Sequence, residues 1–93
     1  MSSEVLDKLW LVIQDRKKNP SEKSYTCKLL KDSKKLESKI REECEELLKS
    51  KKIKGKDSTR WEAADLLYHV MVYLASKDVD FKDVLAELEG RMK

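Results

Sequence analysis

The sequence contains few of the residues that bend or interrupt secondary structure, with two glycines and one proline among 93 residues. This scarcity of turn residues argues against a sheet of many short strands. The two cysteines, Cys27 and Cys44, match neither a zinc-site spacing nor a CxxC motif. No apolar run has the length of a membrane span or of a signal peptide. We therefore expect a cytoplasmic protein in a reducing environment, with inert, buried thiols.

Charged residues are abundant, at 42%, and hydrophobic residues make up 40%. This mixture is typical of helices that each keep one face in water. The 21 basic and 18 acidic residues nearly balance, at a net charge of +3, so neither a nucleic-acid nor a membrane partner is predicted. A chain of this length is expected to form one domain, residues 1–93, with an all-α fold resembling a four-helix bundle.

Capping residues and helical periodicity place the predicted elements along the chain. A first helix, capped by Ser2 or Ser3, runs to about Lys18 and ends before Pro20. The remaining predictions are a short amphipathic turn over Cys27–Lys31, a helix over Lys34–Lys51 capped by Ser33, a basic loop over Lys52–Lys56, a helix from Ser58 or Thr59 to Ser76, and a last helix capped by Asp80.

The second long helix carries an acidic group in an unusual place. Projected at about 100° per residue, Leu36, Ile40 and Leu47 form its apolar stripe, and Glu43 falls inside that stripe. Glu46 and Glu42 lie on its flank. A carboxylate directed at a core costs several kcal/mol unless a cation receives it. Lys39 alone carries too little charge for all three acids, so a divalent cation is predicted.

The third helix has the same anomaly, because Glu62, Asp65 and His69 form a polar stripe on an otherwise apolar helix. Glu62 and Asp65 are three residues apart and so share one side of it. The apolar positions cover most of its circumference: Trp61, Ala64, Leu67, Tyr68, Met71, Val72, Leu74 and Ala75. We expect a central helix whose uncovered face is buried in a homodimer. Two inward carboxylate pairs on adjacent helices make an oxygen-only site, which suits Mg²⁺ or Mn²⁺.

Each of these features has a simpler explanation when it is considered alone. An acidic run is usually a solvated helix face, and Glu62 has the spacing to complete a capping box with Thr59. A lone histidine such as His69 is more often a structural hydrogen-bonding group than a metal ligand or a base. A solvated face does not, however, place acids on the apolar sides of two helices, and the combination favours a metal site.

The acids Glu42-Glu43-x-x-Glu46 and Glu62-x-x-Asp65 resemble the EExxE…ExxD signature of the MazG-like all-α nucleotide pyrophosphatases. Within that superfamily, the segments SYT and EAADLLYH and the order of the whole chain resemble the phosphoribosyl-ATP pyrophosphatases. The resemblance implies hydrolysis of phosphoribosyl-ATP to phosphoribosyl-AMP and pyrophosphate, the second step of histidine biosynthesis, by a Mg²⁺-dependent homodimer. The alternatives are a housekeeping (deoxy)nucleoside triphosphate pyrophosphatase of the same superfamily, or a helical interaction module without activity.

The resemblance and the charge pattern together give each candidate residue a role. Glu43, Glu46, Glu62 and Asp65 are the expected metal ligands. Glu42 is the best candidate to orient or deprotonate the attacking water, although it could equally be a metal ligand. Glu42 and Glu43 are the two predicted catalytic residues. A highly anionic substrate requires basic and hydroxyl groups, for which the candidates are Arg16, Lys17, Lys23, Ser24, Tyr25, Thr26, Lys28 and Lys39.

Overall fold

The computed structural model describes residues 3–50, 52–53 and 56–92, and this part of the chain contains five helices and one short β-hairpin. The all-α prediction is therefore confirmed. The elements are α1 (Ser3–Lys18), α2 (Tyr25–Lys31), α3 (Ser33–Lys49), β1 (Lys52–Ile53), β2 (Lys56–Asp57), α4 (Ser58–Ser76) and α5 (Phe81–Gly90).

Helix α4 is the central element, since α1, α2, α3 and α5 all pack against it. The core surrounds its second half, where Met71, Val72 and Ala75 are buried. In the same core the rings of Trp10 and Phe81 lie 5.7 Å apart. The other buried hydrophobic members of the cluster are Ile13, Leu29 and Leu36. Each helix thus contributes at least one side chain, and the first half of α4 extends beyond the core.

The bounds of α1 and α4 agree with the sequence prediction, but two other helices begin at different residues. Helix α2 starts at Tyr25, two residues before the predicted turn, because the Ser24 hydroxyl accepts a hydrogen bond from the Cys27 amide at 3.2 Å. Helix α3 is capped by Asp32, not by Ser33, through the Lys35 amide at 3.1 Å. Asp80 caps α5 as predicted.

The end of α3 and the basic segment after it also differ from the prediction. Helix α3 stops at Lys49, two residues early, where the Ser50 hydroxyl donates to the Leu47 carbonyl at 2.6 Å. The predicted loop is partly a hairpin, in which Lys52 pairs with Asp57 and Ile53 with Lys56 in antiparallel register. Gly55, predicted inside this loop, lies outside the described residues. Thr59, predicted to form a capping box with Glu62, is the second residue of α4, and that pairing stays a prediction.

The first half of α4 is less buried than its apolar sequence predicts. Trp61 is 71% exposed and Leu67 is 42% exposed in the single chain. Exposure also corrects the prediction for one thiol, because Cys44 is exposed whereas Cys27 is buried. Among the described residues, no helix is both long enough and apolar enough to cross a membrane.

Candidate metal centre and active site

Three carboxylates from two helices meet where the first half of α4 lies against α3. Glu43 comes from α3, and Glu62 and Asp65 come from successive turns of α4. One oxygen of each lies within 4.8 Å of the others, and all three residues are partly buried. The i, i+3 spacing on α4 directs its two acids to one side, toward Glu43. Oxygen atoms arranged in this way match the ligands that a hard divalent cation prefers.

Glu62 is the acid in the least favourable environment of the three. Its Oε2 atom is buried and has no hydrogen-bond partner among the described residues. Burial, followed by the negative charges of Glu46, Glu43 and Asp65, raises the pKa of the Glu62 carboxyl. A buried, unpaired carboxylate oxygen surrounded by other acids is destabilising without a cation. These residues therefore fit a metal ion by their donor atoms and by their need for positive charge.

Glu42 and Glu43 are adjacent in sequence but have different surroundings. The Glu43 side chain is 12% exposed and the Glu42 side chain is 56% exposed. The ammonium of Lys39 lies 3.8 Å from Glu43 and 3.5 Å from Glu42, so one lysine serves both acids. The neighbouring negative charge of Glu42 is the main cause that raises the pKa of Lys39. The helical projection that separated Glu43 from Glu42 thus agrees with the structure.

An open groove of about 720 Å³ adjoins the carboxylate cluster. Glu42, Glu46 and Glu62 line it, so it contains the exposed side of the acidic site. Arg41 and Lys49 also line this groove, and neither is among the predicted substrate-binding residues. Each forms an ion pair with an acid one turn earlier on α3, Arg41 with Glu37 at 3.7 Å and Lys49 with Glu45 at 3.7 Å.

A second cavity, of about 470 Å³, lies at the start of α2. Five of the predicted substrate-binding residues line it together: Arg16, Lys23, Ser24, Tyr25 and Thr26. Lys39 lies instead at the acidic cluster, and Lys28 is exposed on α2 outside the lining of this cavity. The structure therefore brings most of the predicted basic and hydroxyl groups to one place.

Lys17 lies apart from the other predicted substrate residues. Its ammonium donates to the Ala75 carbonyl at 2.6 Å and forms an ion pair with Asp78. Ala75 is ten residues beyond Asp65 on α4, which at 1.5 Å per residue corresponds to about 15 Å along the helix. No local sequence signal indicates this contact, because Asp78 is 61 residues away in the chain.

His69 links the acidic cluster to the cavity at α2. The residue is buried, and its Nδ1 lies 2.7 Å from the Asp65 carbonyl oxygen. Its Nε2 lies 3.1 Å from the Tyr25 hydroxyl. These contacts agree with the simpler interpretation of His69 as a hydrogen-bonding group, and its partner on α2 is an addition to the sequence analysis. Beside it, Thr26 and Tyr68 join the same two helices through their hydroxyls.

Comparison with known proteins shows which family this chain resembles. Residues 6–92 match the family described as phosphoribosyl-ATP pyrophosphohydrolase. A phosphoribosyl-ATP pyrophosphatase of Roseobacter denitrificans is 48% identical over 87 residues, which cover 92% of this chain and 83% of the relative. One of Sulfurisphaera tokodaii is 43% identical over the full length of both chains. The histidine biosynthesis bifunctional protein HisIE of Caldanaerobacter subterraneus is 42% identical over 97% of this chain and 44% of the relative. The chain therefore belongs to the phosphoribosyl-ATP pyrophosphohydrolase family.

Proposed function

We propose that this protein hydrolyses phosphoribosyl-ATP to phosphoribosyl-AMP and pyrophosphate, a step of histidine biosynthesis. The observation that carries the proposal is the cluster of Glu43, Glu62 and Asp65, in a chain that matches this family over residues 6–92. The names of the full-length relatives give the substrate, and the bifunctional relative gives the pathway. A biosynthetic step of this kind is expected in the cytoplasm.

The metal in this proposal is Mg²⁺, with Mn²⁺ as the substitute. Glu43, Glu62 and Asp65 would hold it, and Glu46 would complete the set from α3, because its charge already acts on Glu62. When bound, such an ion supplies positive charge to the phosphate oxygens and to the departing pyrophosphate. The buried oxygen of Glu62 supports this assignment, since it has no partner among the described residues.

Glu42 is the proposed base in this reaction. Its side chain is 56% exposed and lines the groove beside Glu62, so it can reach a water molecule there. A water oxygen attacks the α-phosphorus, the bond from that phosphorus to the bridging oxygen breaks, and pyrophosphate leaves. The proton that the water loses passes to the Glu42 carboxylate. Glu43, which is more buried and lies beside Lys39, is the second catalytic carboxylate.

The cavity at α2 is the proposed site for the anionic parts of the substrate. Arg16 and Lys23 supply positive charge there, Ser24 and Thr26 supply hydroxyls, and Tyr25 lines the cavity beside them. Lys39 contributes at the acidic cluster and Lys28 from the exposed side of α2. We leave Lys17 out of this set, because its ammonium already bonds to Ala75 and Asp78.

The assembly that we propose is a homodimer in which residues 1–93 of each chain form one domain. Trp61 and Leu67 expose apolar surface on α4, and Leu11 and Leu48 do so on α1 and α3. We take these side chains as the interface, because contiguous exposed apolar surface marks interaction sites in soluble proteins. We assign this surface to a second copy of the chain, because most soluble oligomers are symmetric homo-oligomers and two-fold dimers are the commonest.

Pyrophosphate release tests the proposed activity directly. The protein with Mg²⁺ is incubated with phosphoribosyl-ATP and, separately, with the common ribo- and deoxyribonucleoside triphosphates. Release from phosphoribosyl-ATP is the expected result, and it should stop on chelation of the metal. Turnover of triphosphates but not of phosphoribosyl-ATP would identify a housekeeping pyrophosphatase instead. No turnover of any nucleotide would favour an interaction module.

A further inference from the structure

We propose that His69 is a positioning residue of the active site and that it acts through the hydroxyl of Tyr25. This inference rests on the proposed function and adds a residue to it. His69 is buried on α4, whereas Tyr25 begins α2, 44 residues earlier in the chain. Their side chains join the helix that carries two acids of the cluster to the helix that lines the substrate cavity.

The partners of His69 determine which atoms carry hydrogens. The Asp65 carbonyl oxygen can only accept, so Nδ1 of His69, 2.7 Å away, carries the hydrogen. In a neutral imidazole, Nε2 then has a lone pair and accepts a hydrogen bond. The Tyr25 hydroxyl, 3.1 Å from Nε2, must therefore be the donor of that bond. His69 thus fixes the direction of the Tyr25 hydrogen.

The bond to His69 also determines what the Tyr25 hydroxyl can offer to a substrate in the cavity. With its hydrogen directed at His69, the phenolic oxygen offers only lone pairs to the other groups around it. Burial raises the pKa of Tyr25 above its ordinary value, although the charge of Lys39 opposes this, so the hydroxyl keeps its hydrogen. The charges of Lys39 and Glu43, two residues of the acidic cluster, also act on this pKa in opposite directions. Tyr25 is therefore an acceptor for O–H or N–H donors, and it is a poor ligand for a phosphate oxygen.

Aromatic packing holds this pair in place. The rings of Tyr25 and His69 are 5.9 Å apart and edge-on, and those of Tyr68 and His69 are 5.1 Å apart in the same arrangement. The rings of Tyr25 and Tyr68 stack at 6.4 Å. The Tyr68 hydroxyl bonds to Thr26 and so makes an independent connection between α2 and α4. Tyr68 can therefore serve as a control for the simple attachment of α2.

A double-mutant cycle on pyrophosphate release from phosphoribosyl-ATP tests the inference, with Tyr25→Phe, His69→Asn and the double variant. Asn keeps a donor for the Asp65 carbonyl but is too short to reach Tyr25. Each single variant is expected to lower kcat/KM about tenfold, the upper range for one hydrogen bond. The double variant should be no worse than Tyr25→Phe alone. Effects that multiply in the double variant would overturn the inference.

Two further variants separate positioning from folding. His69→Gln places a carbonyl oxygen near the position of Nε2, where it can accept the Tyr25 hydrogen bond. This variant should keep most of the wild-type activity, and it tests the inference even if His69→Asn does not fold. Tyr68→Phe should lower the melting temperature and leave kcat/KM within about twofold. Equal losses in His69→Gln and Tyr25→Phe, or an equal loss in Tyr68→Phe, would overturn the positioning role. Failure of the wild-type protein to release pyrophosphate would instead overturn the proposed function itself.

Discussion

Glu43 is the single residue whose removal best separates catalysis from folding. It is held in the apolar stripe of α3, 12% exposed, beside two other carboxylates. Glu43→Gln keeps the shape of the side chain and removes one of three mutually repelling charges. We expect pyrophosphate release to fall about 100-fold or more, because a metal ligand supplies several kcal/mol of transition-state stabilisation. The melting temperature without metal should stay equal or rise.

The matched control for this substitution is Glu45→Gln on the same helix. Glu45 is exposed and pairs only with Lys49 at 3.7 Å, within the part of the chain that the structure describes. Its replacement changes the net charge by the same amount and should leave the rate within about twofold. A Glu43→Gln protein that retained more than about a tenth of the wild-type rate would contradict a role in binding metal.

The raised pKa of Glu62 makes a prediction about pH. Burial and neighbouring acids raise this pKa. Between the ordinary and the raised pKa, the folded chain therefore holds a proton that the unfolded chain has lost. Without metal, this contribution to stability is present below the ordinary carboxyl pKa and is lost as the pH rises through the raised value. Metal competes with that proton, so metal binding strengthens over the same range.

Melting temperatures measured with and without Mg²⁺ at a series of pH values test this. The gain in melting temperature from Mg²⁺ is expected to grow as the pH rises above the ordinary carboxyl range. In Glu62→Gln this pH dependence should be much weaker, because the shifted group is gone. A gain that is the same at every pH, or the same in both proteins, would show that Glu62 does not bind the ion.

At the scale of the helices, Lys17 connects the end of α1 to the end of α4. The ammonium bonds to the Ala75 carbonyl and to the Asp78 carboxylate. Asp78 follows α4 and has a left-handed backbone, with φ 58°. A cation at a helix C-terminus satisfies free carbonyls and interacts favourably with the helix dipole. Lys17→Met should therefore lower the free energy of unfolding by about 1 kcal/mol, discounted for the exposure of Asp78.

This change distinguishes a structural Lys17 from a substrate-binding one. We expect a fall in melting temperature of roughly 4–8 °C, the usual shift per kcal/mol for a chain of this size, with KM within about twofold of wild type. Lys18→Met, at the exposed neighbouring position, is the control and should change neither quantity. A KM that rose about tenfold without a loss of stability would return Lys17 to the substrate site.

Helix bounds could be predicted from the sequence where a periodic pattern met a clear cap, as at Asp80 for α5. The start of α3 was predicted wrongly because two neighbouring residues could both cap it. Asp32 and Ser33 are both good caps, and only the packed structure selects Asp32. The position of Glu43 was also predictable, because it depends on the spacing within one helix. The contacts of Lys17 and His69 were not, since their partners lie 61 and 44 residues away.

At the scale of the whole molecule, the first half of α4 is where the sequence and the single chain disagree most. Its pattern predicts burial on nearly every side, yet the apolar residues there meet water. A chain of 93 residues forms a thin core, and here that core surrounds the second half of α4. Sequence alone cannot tell burial within one chain from burial between two chains, because both require the same apolar residues.

The proposed dimer would resolve this disagreement, and Trp61 is the residue with which to test it. With its side chain 71% exposed, Trp61 offers a large apolar area to a second chain. Light scattering at micromolar concentration is expected to give about twice 10.9 kDa for the wild type. Trp61→Glu places a charge in the interface and should give the single-chain mass with a normal helical spectrum. Met92→Glu, at an 81% exposed position beyond α5, should remain dimeric. A wild-type protein of single-chain mass would contradict the dimer, and a Trp61→Glu protein that stayed dimeric would place the interface elsewhere.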